Sequence, residues 1–148
     1  MAVDVVTEIE IERPRDEVAA FASDPDNVTR WYENIASVKW ETWGPLAVGT
    51  RLTFVAQFLG RELDYTYEVL EYEPGERLVM RTEEGPFPMQ TTYAWRDVTG
   101  GTHMTLRNAG EPKGFSKVSA RVMTGAMRRA NRKDLARLKA ILEDSVSD

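Results

Sequence analysis

The hydrophobic residues of this chain follow two periods, an alternation that is typical of strands and a longer period that is typical of helices. Val3, Val5, Thr7, Ile9 and Ile11 alternate with Asp4, Glu8 and Glu10 at the start of the chain. A period of two predicts a strand with one buried face and one solvent-facing face. The first element is therefore predicted to be a half-buried strand.

Two short helices are predicted directly after this strand. Pro14 fits the first helical position, with Asp16 and Glu17 near the positive end of the helix. Asp24 fits an N-cap, because its side chain can accept a hydrogen bond from a free backbone N–H, and Pro25 fits the first turn that follows. The pattern indicates two helices in series.

From Ile35 to Asn108 the pattern is strand, turn, strand, with glycine and proline at the interruptions. The six predicted strands are Ile35 to Trp43, Thr50 to Phe58, Arg61 to Tyr72, Arg77 to Glu83, Phe87 to Arg96 and Thr102 to Asn108. The connections between them are too short for crossovers, so the strands are predicted to form an antiparallel meander.

One long C-terminal helix, of up to about 30 residues, is predicted after Gly114, where the period changes to 3.6. Its predicted apolar face comprises Phe115, Val118, Val122, Met123, Ala126, Met127, Ala130, Leu135, Leu138, Ile141 and Leu142. Gly125 lies in the middle of this helix, where glycine costs about 1 kcal/mol relative to alanine. It indicates a kink, the close approach of a ligand, or close packing on a strand.

Composition narrows the chemistry that is available to this chain. Its 148 residues, 42% apolar and 29% charged, predict one globular domain over residues 1–148. It has no cysteine and one histidine, so disulfides, thiolate nucleophiles and Cys/His zinc sites are excluded, and neither a metal nor a cofactor is predicted. His103 alternates with Met104, so it is predicted to face solvent or an interface.

Location and charge give further expectations. The chain opens on a strand pattern rather than a signal peptide, and no apolar segment approaches the roughly 20 residues of a membrane span. We therefore expect a cytoplasmic protein without integral membrane association. Residues 113–148 hold nine Lys or Arg against four Asp or Glu, whereas residues 1–112 hold ten against twenty. This contrast favours a basic helix packed on an acidic sheet over an anion-binding surface.

Seven antiparallel strands around one long helix predict an α+β fold with a curved sheet, whose concave face is wider than one helix can cover. An internal cavity is therefore expected, lined by the inward-facing residues. The predicted ligand-binding residues are Trp31, Phe54, Phe58, Leu63, Tyr65, Tyr67, Met80, Phe87, Met89, Thr91, Tyr93, Met104, Leu106, Asn108, Val122, Met123 and Met127.

The alternative is that these side chains simply form the hydrophobic core, as apolar residues at period two do in any half-buried sheet. Tyr65, Tyr67, Thr91, Tyr93 and Asn108 differ from the others, because buried hydroxyl and amide groups need hydrogen-bond partners. A polar group of a ligand, or a bound water, could supply those partners.

Several short motifs occur in a family-specific order. They are Arg13-Pro14, Val18-Ala19-Ala20-Phe21, Asp24-Pro25-Asp26-Asn27-Val28 with Trp31, Val48-Gly49-Thr50-Arg51, Tyr72-Glu73-Pro74-Gly75-Glu76-Arg77-Leu78 and Gly101-Thr102. Over essentially its whole length the chain resembles the START-like superfamily, also called the SRPBCC, polyketide cyclase/dehydrase or birch-pollen-allergen-like superfamily. The resemblance implies a helix-grip fold with a ligand cavity. It implies no single reaction, because members include lipid and sterol carriers, hormone receptors and aromatases/cyclases.

Three hypotheses of function follow. The first is a binder or carrier of an apolar, aromatic or lipid-like small molecule, with the basic helix steering an anionic head group. The second is a cyclase, aromatase or dehydratase that uses Tyr65, Tyr67, Tyr93 or Arg81 in proton transfer, since strand parity places no carboxylate clearly inside the cavity. If the register slipped by one residue, the two faces of the strand would be exchanged, and Asp64 and Glu68 would become candidates for proton transfer.

The third hypothesis is an accessory module whose basic helix face, including Arg128, Arg129, Arg132 and Lys133, meets an acidic partner or a membrane surface. Nucleic acid is not expected as a partner, because the body of the chain is acidic and shows no recognition motif. A monomer or a homodimer is expected. The binder is the preferred hypothesis.

Overall fold

The fold consists of seven strands and three α-helices, in a computed structural model that describes residues 3–58, 60–82, 88–111 and 119–144. The strands are β1 (Val3–Ile11), β2 (Ile35–Trp40), β3 (Arg51–Phe58), β4 (Arg61–Glu73), β5 (Arg77–Thr82), β6 (Met89–Val98) and β7 (Gly101–Gly110). The helices are α1 (Arg15–Ser23), α2 (Val28–Trp31), which follows a 3₁₀ turn at Pro25–Asn27, and α3 (Ala120–Asp144). The predicted α+β order of elements is confirmed.

All seven strands form one antiparallel sheet in the order β1-β7-β6-β5-β4-β3-β2. Strands β2 to β7 are the predicted meander, and β1 pairs with β7 at the other side, with Val3 opposite Gly110 and Ile11 opposite Thr102. Helix α3 lies across this side of the sheet, where the Lys139 ammonium donates a hydrogen bond of 2.9 Å to the carbonyl of Glu10. The first and last elements of the chain are therefore held together.

Gly101 shows why glycine is needed beside β1. A Cβ at this position would collide with the carbonyl oxygen of Ile11. Any other residue would push the start of β7 away from the end of β1, so glycine allows the close approach of the two backbones.

A bulge in β4 interrupts the regular alternation that the sequence predicts. The pairing with β5 shifts between Val69 and Glu71, so one extra residue is inserted in β4. Tyr72 consequently packs against the core while Glu71 is exposed. Inward-facing positions before the bulge, such as Tyr65 and Tyr67, keep the predicted parity.

The helix starts follow the predicted capping. The Asp24 carboxylate accepts a hydrogen bond of 3.0 Å from the backbone N–H of Asp26, and Pro25 occupies the first turn. Pro14 stands one position earlier than predicted, at the N-cap of α1, where its carbonyl accepts the N–H of Val18 at 3.0 Å.

Buried side chains form two clusters that α3 connects. The main cluster lies under α1, α2 and the C-terminal half of α3, and it includes Trp31 and Leu138. The second lies under the N-terminal half of α3, and it includes Leu63, Met89 and Met123. The C-terminal half of α3 therefore packs in the main cluster, and its N-terminal half packs in the second cluster.

Gly125 lies on the solvent side of α3, and the helix continues through it. A Cβ at this position would meet no described atom within 4 Å. Close packing on a strand is therefore wrong for this glycine, while the close approach of a ligand stays a prediction. In the described ranges, none of the helices is both long enough and apolar enough to cross a bilayer.

Candidate ligand-binding cavity

A cavity of about 160 Å³ lies between the sheet and α3. Side chains from both core clusters border it, Met80 and Tyr93 from the main cluster and Met89 and Met127 from the second. The cavity is therefore the space that the two clusters leave where they meet. Its described lining is Val28, Tyr32, Asn34, Ile35, Phe54, Ala56, Gln57, Tyr65, Tyr67, Met80, Met89, Thr91, Tyr93, Asn108, Met127, Ala130, Asn131 and Asp134.

Nine of the predicted site residues border this cavity. They are Phe54, Tyr65, Tyr67, Met80, Met89, Thr91, Tyr93, Asn108 and Met127. Eight of them come from strands, because alternate residues of a strand share one face of the sheet. Their orientation follows the predicted parity, while their contact with a ligand stays a prediction.

Five other predicted residues are buried in the core and do not border the cavity. Trp31 is covered by cavity residues, since its ring centroid lies 4.2 Å from that of Tyr32 and 5.8 Å from that of Tyr93. Met104 and Leu106 lie on β7, next to the strand on which α3 packs, and they belong to the main cluster. The second cluster takes up the remaining two, Leu63 and Met123.

Val122 was placed wrongly, because it is 58% exposed. The buried stripe of α3 passes through Met123 and Met127, and one residue turns a helix by about 100°, so Val122 faces solvent. Phe87 and the side chain of Phe58 lie outside the described residues.

The sequence prediction missed two buried polar residues on α3. Asn131 and Asp134 are 6% and 2% exposed, and both border the cavity. They continue the stripe of Met127 at steps of four and three residues, so polar residues on an apolar helix face were the signal that could have revealed them. Strand parity correctly left carboxylates out of the cavity on the sheet side, but Asp134 brings one to its border from α3.

Asp134 has an unusual electrostatic environment. Burial raises the pKa of its carboxyl to about 6, and the negative charge of Glu33 adds to this effect. The backbone N–H of Glu33, which donates to Asp134 Oδ1 at 3.1 Å, and the charge of Arg137 oppose it. A carboxyl with such a pKa changes its protonation state close to neutral pH.

The tyrosines that border the cavity supply hydroxyl groups rather than bases. The Tyr32 and Tyr93 hydroxyl oxygens are hydrogen-bonded at 2.7 Å. Burial raises the pKa of Tyr32, Tyr65 and Tyr93, and it raises that of Tyr67 to about 12 although a hydrogen bond with Thr91 opposes the rise. All four are therefore protonated at neutral pH.

The remaining polar groups of the cavity are side-chain amides and the hydroxyl of Thr91. The Thr91 hydroxyl donates to Asn108 Oδ1 at 2.9 Å, which satisfies that oxygen within the sheet. The Asn131 Nδ2 is buried and has no hydrogen-bond partner among the described residues. An unpaired buried donor is unfavourable, and a ligand oxygen could pair with it.

Other candidate groups lie outside the cavity. Asp64, Glu68 and Arg81 are exposed on the opposite face of the sheet. His103 also points to that face, as predicted, and its Nε2 lies 3.0 Å from a Glu8 carboxylate oxygen. Within the described part of the chain, no three His, Asp or Glu side chains come together as a metal site would require.

Comparison with known proteins places the chain in a family. Residues 2–143 match the family described as polyketide cyclase / dehydrase and lipid transport, and the chain belongs to this family. No curated protein matches the sequence. Family and fold together indicate ligand binding or a polyketide cyclase-type activity.

Solved structures show the same fold. A START superfamily protein from Mycobacterium smegmatis has a TM-score of 0.82 and 12% identity, over 95% of this chain and 97% of that chain. The ZhuI aromatase/cyclase from Streptomyces sp. R1128 has a TM-score of 0.80 and 15% identity, over 99% and 96%. A protein from Thermus thermophilus has a TM-score of 0.73 and 19% identity, over 93% and 98%. The predicted helix-grip fold is confirmed.

Proposed function

We propose that this protein binds a small aromatic or otherwise apolar molecule in the cavity between the sheet and α3. The observation that carries the proposal is a cavity whose border is mainly aromatic, aliphatic and methionine side chains, with fewer amide, hydroxyl and carboxyl groups among them. Ligand sites in proteins have this composition, because apolar walls supply affinity and a few polar groups set orientation.

The size of the cavity favours one aromatic ring over a long lipid chain. Its volume of about 160 Å³ is close to that of an engineered cavity of about 150 Å³ that binds benzene. Tyr65 and Tyr67, whose ring centroids are 6.1 Å apart, provide an aromatic wall for such a ring. Within the class of apolar molecules, a ring-sized ligand is therefore the better fit.

Binding is favoured over catalysis by the ionisation states in the cavity. The bordering tyrosines stay protonated at neutral pH, so they donate hydrogen bonds and do not remove protons. Arg81, a candidate for proton transfer, is exposed on the other face of the sheet. One acidic group, Asp134, remains in the described lining.

Asp134 gives a specific reason to keep an enzymatic function as the second candidate. A carboxyl whose pKa is about 6 can act as a general base near neutral pH. With Tyr93 as a hydrogen-bond donor to a carbonyl oxygen, Asp134 could remove a proton from the adjacent carbon, which is the first step of a cyclase or dehydratase reaction.

Native mass spectrometry of the freshly purified chain, with extraction of any bound molecule, tests the binding function directly.

We also expect toluene to bind the wild-type protein and to perturb NMR signals of the residues that border the cavity. Ala130→Leu, which fills the cavity, should weaken binding at least tenfold. Ala136→Leu is the matched control, because Ala136 is exposed on the same helix. Equal binding by both variants would contradict this location.

The catalytic alternative has its own assay. Acetophenone carries an enolisable methyl group, and its exchange with deuterium in D₂O can be followed by NMR. An enzyme that uses Asp134 as a base should accelerate this exchange, and Asp134→Asn should abolish the acceleration. Binding without accelerated exchange in the wild-type protein would favour the simple binder.

A further inference from the structure

The end of the cavity at Asn131 and Asp134 carries an acid, and the cation that acts on it, Arg137, is exposed and lies outside the described lining. Asp134 is the one charged side chain in the described lining, which includes no Lys, Arg or His. The basic residues of α3 that are exposed, such as Arg129 and Arg132, lie on its solvent side. An anionic group of a ligand would therefore find no positive partner among the described residues of the cavity.

Asn131 adds a second requirement next to this acid. Residues three apart on a helix are neighbours, so Asn131 and Asp134 present their side chains to the same part of the cavity. The Nδ2 of Asn131 offers an unpaired donor. Asp134 Oδ1 accepts from the backbone N–H of Glu33, whereas Oδ2 accepts no hydrogen bond from the described residues, so we assign Oδ2 as the acceptor for a ligand donor.

We infer that this end of the cavity selects ligands whose polar group is uncharged and contains both an acceptor and a donor, and that it rejects carboxylates. The acceptor would pair with Asn131 Nδ2 and the donor with the Asp134 carboxylate, as a primary amide or a hydroxy-carbonyl group allows. The inference rests on the proposed binding function and adds the chemical class of the ligand.

A ligand carboxylate is rejected because it loses its hydration in the cavity and finds too few partners there to compensate for that loss. A buried carboxylate loses its hydration, which is compensated only by a cation or by several donors. In this cavity it would also meet Asp134, and two carboxylates that share a site cannot both ionise freely. A primary amide has neither problem, because it is neutral and can satisfy both side chains.

NMR titration of the full chain at pH 7.5 tests this selection with three probes that share one ring: benzamide, toluene and benzoate. We expect benzamide to bind at least tenfold more tightly than benzoate, with toluene in between. Asp134→Asn should strengthen benzoate binding at least tenfold and weaken benzamide binding, because a neutral amide oxygen replaces the charged acceptor of the benzamide N–H. Asp64→Asn removes the same charge from an exposed position and should change neither affinity.

The outcomes separate this inference from the proposed function. If none of the three probes binds in the cavity, the proposed function fails, and the selection fails with it. If toluene and benzamide bind but benzoate binds equally well, binding stands and the selection is wrong. Discrimination that is unchanged in Asp134→Asn would also overturn the role of Asp134.

A second variant independently tests the proposed hydrogen bond between Asn131 Nδ2 and the acceptor of the ligand. Asn131→Leu removes the unpaired donor and keeps a similar volume, so it should weaken benzamide binding at least fivefold and leave toluene binding equal or tighter. This result does not depend on the folding of Asp134→Asn. Equal losses for benzamide and toluene would contradict a role of Asn131 in recognising the polar group.

Discussion

Asp134 combines a position at the border of the cavity with an unfavourable electrostatic environment. Its side chain is almost fully buried, and one backbone N–H is the hydrogen-bond donor found for it in the described structure. An ionised carboxylate in such a place destabilises the folded state relative to the unfolded chain, in which water solvates it. Residues that cost stability in a cavity are candidates for binding or chemistry, because a structural role would be served better by a neutral side chain.

Asp134→Asn should therefore stabilise the protein at neutral pH. The folded pKa of about 6 lies above the ordinary value of 3.8, so the folded state binds the proton more tightly than the unfolded state. Stability that this group contributes is present below pH 4 and is lost as the pH rises through 6. By this argument the variant gains about 3 kcal/mol at pH 7.5. Urea denaturation of both proteins at pH 4 and pH 7.5 measures the effect. An equal gain in the free energy of unfolding at the two pH values would contradict it.

Gly125 can be substituted to stabilise the protein without the loss of a packing contact. It is exposed within α3, and a Cβ there meets no described atom within 4 Å. Gly125→Ala should raise the free energy of unfolding by about 1 kcal/mol, since alanine restricts the unfolded backbone and favours the helix. Thermal denaturation checks this. Ala136→Gly, at another exposed position of α3, should lower stability by a similar amount, and a loss in Gly125→Ala would show that this glycine has a role.

At the scale of elements, strands and helices differed in how well their sequence located the site. Strand parity placed Tyr65, Tyr67 and Tyr93 correctly, because the side chains of a strand have two directions and the turns fix the register. The helix face was less certain, because several rotations of α3 bury a comparable number of apolar residues. Val122 was included and Asn131 was missed for that reason.

The docking of α3 on the sheet should depend on its fully buried leucines. Leu138 is 0% exposed in the main cluster, so Leu138→Ala removes packed methyl groups and leaves a cavity. We expect a loss of about 2–5 kcal/mol in the free energy of unfolding, measured by chemical denaturation. Arg132→Ala on the exposed side of the same helix is the control and should change stability by less than about 0.5 kcal/mol. Comparable losses for the two variants would contradict this docking.

At the scale of the whole molecule, the pairing of β1 with β7 connects the start of the chain to its last strand. Helix α3 then packs on β1, so the C-terminal helix is attached to the strand at the start of the chain. We predict that residues 1–148 unfold as one domain, with coincident transitions by far-UV circular dichroism and tryptophan fluorescence. Two separate transitions would show that the two core clusters unfold independently.

The sequence by itself determined the α+β class, the order of elements, the antiparallel meander and the inward face of most strands. These features depend on local signals, which are the period of apolar residues, the turn residues and the caps such as Asp24. The resemblance to the START-like superfamily extended this to the helix-grip fold. The sequence also named nine residues that border the cavity.

Only the tertiary structure decided where the space remained open. Whether an inward residue borders a cavity or fills the core depends on how closely α3 approaches each strand, and no local pattern encodes that distance. Met104 is therefore core, while Thr91, on the neighbouring strand, borders the cavity. The rotation of α3 likewise brought Asp134 into an apolar environment, and burial, rather than the identity of the residue, gave this carboxyl its raised pKa.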